Sequence, residues 1–421
     1  MTSRDNAVTI IGGGIAGLAC ARRLHAAGIP FVLIEAARRL GGRIRTDRRD
    51  GYLLDRGFQV LQTAYPEARQ VLDYGQLNLR PFAPGVMIRI QGRFFTIADP
   101  LRRPSHLVSS ATAPFGTLGD RLRLLRLGYQ VSRGSLEALF QAPEMTAGDY
   151  LQARGFSKTM IDRFFRPFFG GVCLDPQIRA SSRVLQYVMR MFATGDAALP
   201  AQGMEAIPRQ LASRLPTDRI LVNRRAQSLN GHDIVMVDGS TWHSRAVVVA
   251  TEAPATCKLL GQPLGVASIS ETCLYFACDR TDWHTPFLVL NGEGKGPVNN
   301  IAFPSRVSAT YAPSGRSLAS VVVLGNPVEN DIQLAAGVKA QLVDWFGPEA
   351  DRWEHLATYR IAHALPDQSP PTADPSQLNP MVRPGIFVCG EHGSLPGIQW
   401  ALLSGRRAAE SVIAYLEGKQ P

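Results

Sequence analysis

No run in this 421-residue sequence is long and apolar enough to cross a bilayer; stretches such as AVVVAT at 246–251 end after a few residues. The opening MTSRDNAVTI has no basic region followed by a long apolar stretch, so no secretory leader is expected. Cysteines are few and scattered, at positions 20, 173, 257, 273, 278 and 389, with no CxxC pair and no matching histidine spacing. That argues against a zinc site or a disulfide framework; no metal is expected, and a reducing cytoplasm is. Lysine is scarce as well. Beyond Lys158, Lys258, Lys295, Lys339 and Lys419, the formal charge of +10 rests on arginines spread along the chain. No helix-turn-helix, RNA-recognition or zinc-finger pattern focuses that charge, so a nucleic-acid partner is not expected. Ser-His-Asp, HExxH and P-loop signatures are missing too, which sets aside the chemistries they carry.

What remains is an ordinary globular composition, 45% hydrophobic and 19% charged, with length for two or three domains. Its most informative stretch is VTIIGGGIAGLACARRLHAAGIPFVLIEAARRLGGRIRT, residues 8–46. The β-branched run before Gly12 reads as a buried parallel strand, AGLACARRLHAA as a helix stopped by Gly28, and PFVLIE as a second buried strand. Gly12, Gly14 and Gly17 form G-x-G-x-x-G inside this complete βαβ unit. Gly12 serves the tight turn, Gly14 admits backbone to a pyrophosphate, and Gly17 brings helix close to strand. With Ile15 and Ala16 they make an expected phosphate cradle at a helix N-terminus. Glu35, followed by Ala36, lies 18 residues after Gly17, where a carboxylate can accept bonds from ribose hydroxyls. Up to this point NAD and FAD fit equally.

The continuation separates them. EAARRLGGRIRT sets Gly42 and Arg43 directly after the ribose-binding acid, and here the chain resembles the flavin amine oxidase, phytoene desaturase and protoporphyrinogen oxidase superfamily. GYLLDRGFQVL at 51–61 resembles the segment that family lays along its flavin, which implies roles for Gly57, Phe58 and Gln59. The stretch 219–254 resembles the returning segment whose backbone meets adenine, here near Ala226. GIFVCGEHGSLPGIQWALLSGRRAAESV resembles the closing FAD motif. The resemblance implies Gly390 and Glu391 near the phosphates and ribityl chain, with Gln399, Trp400 and Ala401 near the ring. It also implies FAD as cofactor, held non-covalently, because TYRIAHALPDQ lacks the cysteine through which some members attach it.

The expected fold is α/β: a discontinuous Rossmann-type FAD domain from 1–80, 200–265 and 381–421, and an inserted α+β substrate domain from 81–199 and 266–380. CLYFAC, FLVLNG and LASVVVLG read as antiparallel strands, and VKAQLVDWFG as a helix stopped by Gly347. In and just before FRPFFGGVCLDPQIRASS at 165–182, Phe164, Phe165, Phe168 and Phe169 are expected to pack the helical part, with an apolar substrate tunnel as the sharper alternative. In GDRLRLLRLGYQVSRG at 119–134, the leucines 122, 124, 125 and 127 are expected in the core. The alternative there is a basic amphipathic face resting on anionic lipid at the inner face of the membrane.

A flavin site needs orientation in a dry pocket rather than an obligatory nucleophile, so few catalytic side chains can be named. The lysine that amine oxidases commonly keep is missing from SISETCLYFACDRTDW. Tyr359 and Trp400 are the counterparts of their ring-flanking aromatics, while Ile398 stands where another aromatic is common. His363 is a further candidate, and Arg360 fits a surface ion pair equally well. Three readings follow. The first is an FAD-dependent oxidoreductase acting on a largely apolar small molecule, desaturase- or protoporphyrinogen-oxidase-like, with O2, a quinone or a protein as acceptor. The second is an amine oxidase, which amine-driven bleaching of the flavin would favour. The third is a flavin-bound protein with a binding or isomerase role, favoured by a closed pocket and a flavin that no candidate reduces.

Overall fold

Val8–Ile11 and Phe31–Ile34 are buried at every position, as their unbroken apolar sequences require of strands covered on both faces. They form the centre of a six-stranded sheet in the computed structural model, which describes residues 6–98, 112–263, 265, 267–279, 285–375, 377–391 and 395–419. The expected leader-free start rests partly on residues 1–5, outside the described residues. In spatial order the sheet runs Ile220–Leu221, Phe31–Ile34, Val8–Ile11, Ala246–Val249, Ile386–Val388 and Met381–Arg383. The first five are parallel and the last is antiparallel. All six come from the three separated stretches 1–80, 200–265 and 381–421.

One face of this sheet packs beneath two helices, Ile15–Ala26 and the C-terminal Ile398–Leu416. They cross closely because position 405 has no side chain: a Cβ there would lie 2.1 Å from the Ala16 carbonyl oxygen. The other face, through Ile11, Val32, Val247 and Val249, packs on a three-stranded meander, Ala226–Asn230, Asp233–Met236 and Thr241–His243. Its turns fall at the two glycine-containing pairs 230–231 and 238–239.

A seven-stranded sheet is built from the inserted stretches. Its order is Glu354–Pro366, Ser268–Asp279, Arg316–Leu324, Asn300–Ala302, Leu288–Asn291, Gly85–Ile90 and Arg93–Ala98. Every pairing is antiparallel except that of Leu288–Asn291 with Gly85–Ile90, so the second inserted stretch alone is antiparallel, as expected. Leu274, Phe276, Val321 and Val323 face the helix Asp331–Phe346. That helix starts earlier than VKAQLVDWFG implied, because Asn330 and Gln333 form a capping box ahead of it. The strand Ala197–Pro200 pairs with both Leu61–Gln62 and Leu79–Pro81, and so straddles the expected domain boundary at 199/200. Helices between 118 and 194 form a separate aromatic core.

Candidate functional site

The turn from Ile11 into the helix at Ile15 is shaped by contacts that only glycine permits. Gly12 has φ +115°, and a Cβ there would lie 2.6 Å from the Ala250 carbonyl oxygen. A Cβ on Gly17 would lie 2.0 Å from the Gly12 carbonyl oxygen, so the helix rests directly on the turn. Gly14 differs: a Cβ would meet nothing nearer than the Gly42 Cα at 4.0 Å. Its backbone is therefore open to a ligand. The helix beginning at Ile15 has neither a side-chain cap nor an acid in its first turn, leaving its first N–H groups and positive dipole end for an anion. Glu35 is fixed by that same turn, its Oε2 accepting from the Gly13 N–H and its Oε1 from the Ala37 N–H, both at 2.7 Å.

Around this turn opens a cavity of 690 Å³, within the size range of small-molecule and cofactor sites. Gly12, Gly14, Ile15, Ala16, Glu35 and Ala36 line it from the βαβ unit. Gly42, Arg43, Phe58 and Gln59 line it from the segments that follow, and Ala226 from the meander. Gly390, Glu391 and Ala401 complete the wall from the C-terminal end, and His363 reaches it from the seven-stranded sheet. Gly17 and Gly57 stand behind the wall; a Cβ on Gly57 would lie 2.7 Å from Ile361 Cδ1.

Three expected residues sit elsewhere. Gln399 is buried, its side-chain oxygen accepting from the Glu67 N–H at 2.9 Å. Trp400 packs into the helical core, with ring centroids 5.4 Å from Phe140 and 5.1 Å from Tyr187. The helix geometry explains both, for Ile398 and Ala401 share the cavity face, and the two positions between them turn away. Tyr359 donates to Asp47 Oδ2 at 3.0 Å and meets Tyr275 edge-on, so it does not border the cavity. Arg360 pairs with Asp331 at the surface. Of the four phenylalanines only Phe168 reaches the cavity; Phe164, Phe165 and Phe169 pack the helical core.

Arg43 ties three remote segments together. It pairs with Glu391 and donates to the carbonyl oxygens of Ala364 at 2.6 Å and His363 at 3.3 Å. Nearby, burial pushes the Asp47 carboxyl upward, but hydrogen bonds from Arg56, Arg39 and Tyr359 outweigh it and bring it down to about 2. The C-terminal helix also begins without a side-chain cap or an acid in its first turn, and Gly397 and Ile398 at its start line the cavity. With the helix Ala253–Leu260, which also lacks a side-chain cap and starts at the lining residues Glu252 and Ala253, three uncapped helix N-termini face one space, whereas the helices beginning at Leu118, Ala147 and Asp331 carry side-chain caps. An open glycine backbone and a positioned carboxylate in a cavity that Ala226 also lines fit a dinucleotide.

One lining residue went unremarked in the sequence. Glu271 is 6% exposed and accepts one hydrogen bond, from the Phe58 N–H at 3.1 Å. Burial pushes its carboxyl up to about 7, against the pull of that N–H. The available signal was an acid inside an otherwise apolar strand, SISETCLYFACD.

Residues 15–413 match the family model for flavin containing amine oxidoreductases. Protoporphyrinogen oxidase 2 of Arabidopsis thaliana is 25% identical over 170 residues, 40% of this chain; the match spans 33% of that protein's length. Coproporphyrinogen III oxidase of Mycobacterium leprae is 25% identical over 457 aligned residues, covering 98% of this chain and 99% of that protein. Among solved structures, cyclohexylamine oxidase from Brevibacterium oxydans has the same fold, with a TM-score of 0.72 at 16% identity over 98% of this chain and all of that one.

Proposed function

We propose, because the chain belongs to the flavin-containing amine oxidoreductase family, that it is an oxidoreductase removing two electrons from a largely apolar small molecule. FAD is its cofactor, and when bound it supplies the hydride acceptor. The backbone around Gly12, Gly14 and Gly42 and the start of the helix at Ile15 would hold the pyrophosphate, and Glu35 the ribose. The uncapped helix N-terminus at Ile398 favours negative charge accumulating beside it.

The observation that carries the reading is the composition of the far wall. Pro167, Phe168, Leu288, Val322 and Ile361 line it, with Ser268, Glu271, Asn300 and His363 as its polar members. Among the described residues, neither the seven-stranded sheet nor the helix Arg166–Cys173 contributes a lysine or arginine to the lining. Such a wall excludes water and orients an apolar substrate rather than binding an anion. Glu271 on that wall favours the amine reading as second, since a carboxylate can pair with an ammonium.

Anaerobic photoreduction followed by admission of air tests the proposal. The purified protein is expected to carry flavin absorbance, and reoxidation within seconds would mark O2 as acceptor. Reoxidation over many minutes would point to a quinone or protein acceptor. A protein without flavin bands even after added FAD overturns the reading. Bleaching by cyclohexylamine but by no polyene or porphyrinogen would move the assignment to amine oxidation.

The helix Leu118–Val131 supports a peripheral membrane contact. Asp120, Leu127 and Val131 are buried on one face, with Leu124 half-buried. Leu118, Leu122, Leu125 and Tyr129, on the opposite face, are between 57% and 74% exposed. The expectation that leucines 122 and 125 enter the core is therefore corrected: the helix packs through one face only. Arg126 and Arg133 accompany the apolar stripe, the latter lying over the Tyr129 ring at 4.0 Å. This fits an anionic lipid surface. No described helix is long and apolar enough to cross a membrane. The wild type is expected to float with phosphatidylglycerol vesicles, less so at high salt, and Leu122→Glu/Leu125→Glu to lose about tenfold or more in binding. Equal flotation of the two proteins would remove the contact.

A further inference from the structure

Glu271 is the fourth residue of the twelve-residue strand Ser268–Asp279, on the face turned toward the cavity. Its register partners are Leu324 on one side and Ile361 on the other. Oε1 accepts from the Phe58 N–H, whereas Oε2 has no hydrogen-bond partner among the described residues. Gly57 lets the chain approach this oxygen: a Cβ there would stand 3.1 Å from it. A nearly buried carboxyl with one oxygen held and the other free is an unusual expense in a strand core, where acids are rarely found without a partner.

The bordering titratable groups do not neutralise it. Cys273, two residues along the same strand, is a buried thiol held protonated by desolvation and by the Glu271 charge. His363 stands on the paired strand and lines the same cavity, its Nδ1 buried without a hydrogen-bond partner among the described residues. Arg43 is engaged by Glu391, and Arg56 by Asp47 at 2.9 Å. None of these is hydrogen-bonded or ion-paired to Glu271.

We propose that Glu271 is the proton acceptor of the oxidation, taking the proton that substrate must lose as its new double bond closes. The role rests on the oxidoreductase reading above. Taking a hydride from a C–H bond removes both bonding electrons and leaves a cation on the substrate. Forming C=C or C=N then breaks a neighbouring C–H or N–H bond, whose electron pair becomes the π bond. The proton goes to the Glu271 carboxylate and later to water, and the two electrons leave with the hydride to FAD. A carboxyl that titrates near neutrality suits this task, since transfer is most effective when acceptor and working pH match.

Two measurements on the FAD-loaded protein test this. Infrared titration without substrate is expected to show a carboxylic acid band that ionises near pH 7 in the wild type and is gone from Glu271→Gln. Anaerobic flavin bleaching is then timed with phytoene in detergent micelles, coproporphyrinogen III and cyclohexylamine as probes. For whichever probe bleaches the wild type, the rate should rise with pH through the same range. Glu271→Gln should bleach about a hundredfold or more slowly without that rise. Glu271→Asp should recover part of the rate, and it takes the same test if the glutamine variant fails to fold. Equal rates and pH profiles in wild type and Glu271→Gln, or no titrating band in the wild type, overturn the proton-acceptor role alone. No bleaching by any probe, with dithionite still reducing the flavin, overturns the oxidoreductase reading and this role together.

Discussion

Gly17→Ala is expected to yield a protein that carries no flavin and is destabilised by about 3 kcal/mol or more. The added methyl would be placed 2.0 Å from the Gly12 carbonyl oxygen, about two-thirds of the nearest real approach, and 3.3 Å from Ala250 Cβ. Neither side can yield cheaply. Gly12 is pressed against the Ala250 carbonyl, and Leu18, Cys20, Ala21 and Leu24 on the helix are wholly buried. The helix must therefore move outward as a body, taking its free N–H groups away from the cradle that would hold the pyrophosphate. Gly28→Ala separates this clash from backbone strain. Gly28, unlike the helical Gly17, has positive φ, at +71°, and nothing lies within 4 Å of its missing Cβ. It is expected to lose only about 1 kcal/mol and to keep its flavin. Urea midpoints and flavin-to-protein absorbance ratios decide the matter; a Gly17→Ala protein with full flavin and an unchanged midpoint would refute the packing argument.

The same glycines show why the nucleotide unit was readable in advance. Turn, helix and both strands lie within one short stretch, where local geometry and sequence spacing coincide. Side chains brought to the cavity by remote elements were less readable. Tyr359 and His363 have the same parity on one strand, yet only His363 borders the cavity; the pairing shifts register between Ile361 and Leu365, so alternation counted along the sequence fails at His363. Trp400 failed differently, through a helical rotation that places Ile398 and Ala401 inward. On the helix from Leu118, leucines occupy both faces, so periodicity could not say which would be covered. Glu271 is not legible in the sequence because its meaning comes from burial, and burial depends on the Phe58 segment that folds over it.

Asp55 is the other position where one substitution is expected to be severe, this time through hydrogen bonding. Its Oδ1 accepts from the Thr46 hydroxyl at 2.5 Å and the Met204 N–H at 3.0 Å, and its Oδ2 from the Tyr311 hydroxyl at 2.8 Å. Its backbone carbonyl accepts from the Tyr275 hydroxyl at 2.9 Å. These partners come from four separate parts of the chain, just ahead of the Gly57–Gln59 segment. Asp55→Ala strands three buried donors and should lose about 3–5 kcal/mol at pH 5, whereas Asp55→Asn, which keeps one acceptor and lets Tyr311 turn to accept, should lose about 1–2 kcal/mol. Burial lifts the Asp55 carboxyl to about 6, with the three hydrogen bonds holding it from rising further. The unfolded chain releases that proton near pH 4. Between those values the folded state binds more protons, so this contribution to stability falls as pH rises, by roughly 3 kcal/mol across the window. Asp55→Asn lacks that slope, and its deficit relative to the wild type should therefore be larger at pH 4.5 than at pH 7. Urea unfolding of both proteins at the two pH values reads this directly: a deficit that grows with pH would mean that the hydrogen bonds, not burial, govern the carboxyl.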